Sequence, residues 1–143
     1  MRCPHPLDII CMETKPYIAI VDDDAISRLF LADMVESVGL VPMCFEFPEH
    51  FLAYVEVYKP VCIILDMNMP GLNGAEVEFR LKEIGADIPV IVVTGDTDLP
   101  TARAALHGGA VEVFTKPVDP LDLLTLIREI LTTGVQAEAC LTA

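Results

Sequence analysis

Basic residues are scarce in this 143-residue chain: 9 Lys and Arg stand against 22 Asp and Glu, a formal charge of −13. A surface so acidic repels phosphate backbones and anionic lipid headgroups, which argues against nucleic acid and membranes as direct partners. Long hydrophobic runs are missing too. The apolar stretch Leu7 to Met12 is broken by Asp8, too short for a signal-peptide core and far too short for a membrane span. The five cysteines, Cys3, Cys11, Cys44, Cys62 and Cys140, are odd in number and show no C-x-x-C spacing. They read as reduced thiols, with no redox or metal motif among them, and a cytoplasmic location is expected. His5, His50 and His107 lack ligand spacing and read as surface residues.

Apolar material, by contrast, is plentiful: 53% of the residues, in a length that suits one domain. Residues 1–15 hold prolines, a histidine and mixed charge without periodicity, the pattern of a mobile leader. From residue 16 to 132, five apolar runs alternate with five helical patterns. The runs are YIAIV at 17–21, LVPMC at 40–44, VCIIL at 61–65, PVIVV at 89–93 and VEVF at 111–114. Continuous rather than alternating hydrophobicity predicts a parallel sheet covered on both faces, an α/β fold of (βα)5 type, doubly wound.

The first helix is expected to start at Asp24 as N-cap, to turn Ile26, Phe30, Met34 and Val38 toward the sheet, and to stop at Gly39. The second lies between about Pro48 and Val57, the third between Gly74 and Gly85, and the fourth from Leu99 to His107. Asp119 and Pro120 mark the start of the last, which runs to Thr132 and leaves residues 133–143 as a short C-terminal tail.

In a doubly wound sheet, ligands bind beyond the carboxyl ends of the strands. The first strand there delivers Asp22, Asp23 and Asp24, the third Asp66, the fourth Thr94, and the fifth leads into Lys116 and Pro117. Asp24 is assigned to the helix cap. Crowded carboxylates resist joint ionisation unless a cation sits among them, and all-oxygen ligands suit a hard ion such as Mg²⁺. A phosphoryl group would complete the set, with Lys116 as point charge and Thr94 as hydrogen-bond donor; Gly95 leaves room beside it.

VDDD at 21–24, LDMNMPGLNG at 65–74, VVTGD at 92–96 and VFTKP at 113–117, in this order and spacing, resemble the response-regulator receiver domain of two-component signalling. The resemblance spans about 17–132 and implies a flavodoxin-like fold with strand order 2-1-3-4-5. It implies Asp66 as phosphoacceptor. Mg²⁺ would be held by Asp23, Asp66 and the backbone carbonyl of Asn68, with Asp22 acting through water. It further implies that Lys116, after a cis bond to Pro117, pairs with the phosphoryl oxygens, and that Thr94 and Phe114 form the switch. Asn68 and Asp96 stand where this family tunes the lifetime of the acyl phosphate.

The implied donor is a sensor histidine kinase or a histidine phosphotransfer protein, selected on the surface of helix one. With no effector domain expected after the last helix, output falls to protein–protein contacts. Leu123, Leu124, Leu126, Ile127, Ile130 and Leu131 cover roughly 160° of that helix, wider than the ~100° stripe needed against a sheet. One flank, with helix four and strand five, is therefore a candidate surface for a phosphorylation-dependent dimer or a partner, alongside the plainer reading of a broad core face. Two other functions are weighed. A binding module independent of phosphorylation uses the same fold; a metal-dependent phosphatase with an Asp nucleophile would need an acid two residues after Asp66, where Asn68 cannot serve.

Overall fold

Tyr17–Val21 (β1), Cys62–Asp66 (β3) and Val90–Thr94 (β4) are buried at every position, because each has a strand on both sides and helices on both faces. Val41–Phe45 (β2) and Glu112–Thr115 (β5) form the edges and are more open. All pairings are parallel, in the expected order β2-β1-β3-β4-β5. The computed structural model describes residues 16–67, 74–85, 87–95 and 99–142, except the side chains of 74–75, 99, 101–102 and 133–142.

Four of the strands sit one residue later than their apolar runs. In three of these four the ladder continues beyond the apolar run into a polar residue: Asp66 pairs in register with Val93, and Thr94 with Thr115. Both side chains with expected chemistry therefore belong to the rigid sheet, not to a loop.

The helices are Ala25–Ser37 (α1), Pro48–Val55 (α2), Gly74–Glu83 (α3), Leu99–His107 (α4) and Pro120–Thr142 (α5). Alternate residues of β1 feed two core layers. Ala19 and Val21 join Phe51, Val77 and Ala105 under α2, α3 and α4, while Ile18 and Ile20 join Leu31, Leu123 and Ile127 under α1 and α5. Among the described residues no helix is long and apolar enough to cross a membrane.

Asp24 caps α1 as expected, accepting the Ser27 N–H at 3.2 Å, and Gly39 takes a positive φ of 82° just past its end. The expected inward stripe is wrong for two of its members. Ile26 is 79% and Phe30 43% exposed, and the buried face is Leu31, Ala32, Met34 and Val35. A strict four-residue step drifts by about 40° per repeat on a helix of 3.6 residues per turn, so the i, i+3, i+4 set of Leu31, Met34 and Val35 keeps to the sheet instead.

The last helix also corrects an expectation, since it does not stop at Thr132 but continues to Thr142. Residues 133–142 contain no proline, and the single Gly134 costs only about 1 kcal/mol relative to alanine. Leu123 and Ile127 are fully enclosed, with Leu124, Leu126, Ile130 and Leu131 half-buried around them.

Cys62 is a free thiol, as expected, and burial on β3 pushes its pKa up to about 12. Cys44 is instead disulfide-bonded: it lies half-buried on the edge strand β2, open to a second sulfur. His50 and His107 are exposed. His5, Cys3, Cys11 and the expected leader at 1–15 lie outside the described residues, as does the side chain of Cys140.

One buried residue does not suit its surroundings. Glu78 on α3 is 4% exposed, and its carboxylate has no hydrogen bond of good geometry, the Ala110 N–H making a looser approach. Burial raises its pKa from 4.5 to about 7, with the Lys82 charge and the Ala110 backbone opposing.

Two outcomes are expected. Leu31→Ala should cost about 2–5 kcal/mol in urea unfolding, whereas Phe30→Ala should stay near or below about 1 kcal/mol, as for a surface substitution; equal losses would restore the four-residue stripe. As pH rises from 4.5 toward 7 the unfolded chain loses the Glu78 proton before the folded one does. Stability against pH should therefore carry a downward component of up to ~1.4 kcal/mol per unit in that window. Glu78→Gln should remove it; a variant with the wild-type slope would refute the assignment.

Candidate functional site

The parallel order sets the carboxyl ends of β1, β3, β4 and β5 on one rim. Asp22 follows β1 directly, with its N–H donating to the Phe45 carbonyl at 3.1 Å. The carboxylate of Asp22 is 1% exposed, and each of its oxygens is engaged: Oδ1 accepts the Asp24 N–H at 2.9 Å, and Oδ2 accepts from the Lys116 ammonium at 3.0 Å. The same ammonium stands 3.5 Å from Asp66 Oδ2.

Lys116 arrives there from β5. Its N–H donates to the Thr94 carbonyl at 2.8 Å, which ties the strand end to β4, and its bond to Pro117 is cis, as the resemblance implies. Burial works against the ammonium, but the hydrogen bond and charge of Asp22, and then those of Asp66, outweigh it and hold its pKa above the ordinary lysine value. It therefore stays charged at any physiological pH. A buried carboxylate needs such a partner, because desolvation of an unpaired ion costs several kcal/mol.

Asp23 points outward and is exposed. Each of Asp22, Asp23 and Asp66 offers a carboxylate oxygen, and the three lie within 4.8 Å of one another. Three acids against one ammonium leave the cluster negative, and its donors are all oxygen, a set that fits a hard divalent cation. Thr94 is 1% exposed at the end of β4, and a Cβ placed at Gly95 would meet nothing within 4 Å, so the space beside the threonine is open. Phe114, half-buried on β5, packs against the α1–α5 layer.

Sequence spacing thus located Asp22, Asp23, Asp66, Thr94 and Lys116, which the fold brings to one rim; Asn68 and Asp96 lie outside the described residues. Arg28 was missed. From the first turns of α1 its Nη1 donates to the Asp22 carbonyl at 2.7 Å, fixing the backbone under the acids. The only signal was a basic residue shortly after an acid-rich strand end, which does not say that a guanidinium will reach back to a main-chain oxygen.

A family model described as "Response regulator receiver domain" matches residues 18–128. The response regulator protein TmoT of Ectopseudomonas mendocina is 40% identical over 124 residues, covering 87% of this chain and 56% of TmoT. The transcriptional regulatory protein FixJ of Bradyrhizobium diazoefficiens is 35% identical over 118 residues, covering 82% of this chain and 57% of FixJ. The chain spans about half the length of these curated relatives. Among solved structures, that of response regulator StyR superposes with a TM-score of 0.77 at 31% identity, covering 88% of this chain and 64% of that one. FixJ-N superposes with a TM-score of 0.75 at 30% identity, covering 80% and 92%.

Replacing Lys116 by methionine should remove the counter-charge of two buried carboxylates. The expected loss is about 1.5–3 kcal/mol in urea unfolding at pH 7, the range for hydrogen bonds to charged groups. A variant as stable as the wild type would mean that the ammonium contributes nothing net to the two carboxylates.

Proposed function

Since this chain belongs to the response-regulator receiver-domain family, we propose that Asp66 accepts a phosphoryl group from a phosphohistidine of a sensor histidine kinase or histidine phosphotransfer protein. The observation that carries this reading is the Lys116 ammonium, at 3.0 Å from Asp22 and 3.5 Å from Asp66, inside a cluster of three carboxylates. The carboxylate oxygen of Asp66 attacks phosphorus as the phosphorus–nitrogen bond of the donor breaks, its electron pair leaving on the imidazole. Such a loose transition state asks little of the protein beyond alignment and neutralisation of charge. Lys116 supplies a fixed positive charge for the phosphoryl oxygens.

Mg²⁺ fits the donor set. Asp23 and Asp66 would hold it with the Asn68 backbone carbonyl, and Asp22 through a water, a division of labour supported by the two hydrogen bonds that already occupy Asp22. When bound, it supplies further positive charge against the phosphoryl oxygens. Asp22, fixed from behind by Arg28, keeps Lys116 aimed into the pocket.

Thr94 would turn its hydroxyl to the phosphoryl group once formed, and Phe114, paired in register beside Val93, would follow that movement. Output would pass through protein contacts on α4, β5 and α5, where Leu106, Val111 and Leu121 are exposed apolar residues that a dimer mate or partner could cover. Residues 16–132 act as the receiver unit, and the cytoplasm, where histidine kinases present their phosphohistidine, is the compartment this reading calls for.

With Mg²⁺ and a small acyl phosphate, the protein should gain one acid-stable but base-labile phosphoryl group, seen by intact mass. Asp66→Asn or added EDTA should abolish it, and Asp22→Asn should weaken Mg²⁺ binding about 10–100-fold. Failure of the wild-type chain to be labelled under these conditions would overturn the reading.

A further inference from the structure

The end of α4 is closed by backbone alone. Gly109, at a positive φ of 110°, donates its N–H to the Leu106 carbonyl at 3.1 Å, and Ala110 donates to the Ala105 carbonyl at 3.1 Å. This pair of bonds is a Schellman cap, in which the chain leaves a helix through a glycine of positive φ. From the cap the chain enters β5, with exposed Leu106 before the turn and exposed Val111 after it.

Glu78 of α3 is wedged against this cap. A Cβ on Gly108 would lie 2.8 Å from its Oε2, 3.0 Å from Cδ and 3.1 Å from Oε1, so a side chain at 108 would push the carboxyl group aside. The residue is 4% exposed, and both oxygens are shut off from solvent. The backbone donor that approaches it is the Ala110 N–H, which is already committed to the Ala105 carbonyl. One N–H thus faces two acceptors, and an ionised oxygen makes the stronger bond of the two.

Few charges surround the carboxyl group. Lys82, one turn further along α3, and Asp87, before β4, share a crevice of about 130 Å³ with it; the α4–β5 turn brings Gly108 and Gly109 to that crevice and β4 brings Val90, none of which titrates. Burial favours the neutral acid, and the Lys82 charge and the Ala110 N–H oppose it without prevailing, so both forms are populated near pH 7.

We propose that Glu78 is a proton-operated latch on the cap of α4. As the neutral acid it leaves the Ala110 N–H on the Ala105 carbonyl; on losing its proton to solvent it draws that N–H to itself and loosens the turn into β5. A buried carboxylate without such a donor would carry its full desolvation cost. Because Leu106 and Val111 flank the turn, the latch reaches the face assigned above to output. That consequence rests on the reading of α4 and β5 as a contact surface; the latch itself involves neither Asp66 nor a phosphoryl group.

The test follows the whole, unphosphorylated chain by NMR from pH 5 to pH 9. A His107→Gln background is used, since an imidazole changes charge within this range. The Glu78 side-chain carboxyl carbon and the amides of Gly108, Gly109 and Ala110 should share one midpoint near 7. The scalar coupling across the hydrogen bond from the Ala110 N–H to the Ala105 carbonyl should be present at the acid end and lost at the basic end, whereas a purely electrostatic neighbour would shift the amides and leave the coupling in place. Glu78→Gln should remove the step and keep the coupling at every pH. Lys82→Met should raise the midpoint by removing the opposing charge, and Gly108→Ala should lower it toward 4.5 by pushing the carboxyl group into water. A Glu78 midpoint at or below pH 5, a coupling that survives to pH 9, or a step that persists in Glu78→Gln would each overturn the proposal.

Discussion

One ammonium shared by two buried carboxylates sets the terms for the rest of the rim. Lys116 and Asp22 are 94 positions apart in the chain yet meet at 3.0 Å, on the rim that the order β2-β1-β3-β4-β5 builds. In a sheet that kept the chain order, β2 would stand between the two aspartate strands. Here β1 and β3 are adjacent, so Asp22 and Asp66 face each other across one strand spacing. The lysine then has to reach past the end of β4, and its N–H bond to the Thr94 carbonyl is the fixed point from which it does so.

The interior of the fold was legible because its signal is redundant. Continuous burial in β1, β3 and β4 requires unbroken apolar runs, and such runs are hard to mistake. The strand order was not legible from pattern: any permutation of five parallel strands presents the same five runs, and the order came only with the resemblance. Motif spacing, in turn, located the acids, threonine and lysine, because each is anchored to a strand end. Arg28 escaped, since a side chain that donates to a main-chain carbonyl leaves no partner residue in the sequence.

The errors on the helices have a common physical source. Helix α1 carries apolar residues on two faces: Leu31, Met34 and Val35 inside, and Ile26, Leu29 and Phe30 outside. Hydrophobicity alone cannot rank two such faces; only the exact angular period does so, and the outer set is left exposed in the way that contact surfaces are. At the end of α5, what was missing was a stop. Without proline or a clear cap, propensity lets the helix run on to Thr142. Cys44 shows the same limit for the thiols, since the disulfide it forms leaves no C-x-x-C spacing in the sequence.

The charge count also supports the proposed pairing of a cation with a phosphoryl group on this rim. Lys116 is already spent on Asp22 and Asp66. A phosphoryl group on Asp66, as proposed, would replace one negative charge by nearly two, and a lysine drawn toward it would leave Asp22, at 1% exposure, with less compensation than before. Exposed Asp23 cannot help, because it adds a third charge of the same sign. On the proposed reading, a second cation would offset the charge of the carboxylates as a group before any one of them is considered as a ligand. On this reading metal dependence follows from one ammonium serving too many acids, and removing an acid at Asp22 or Asp23 trades affinity for the metal against repulsion within the pocket.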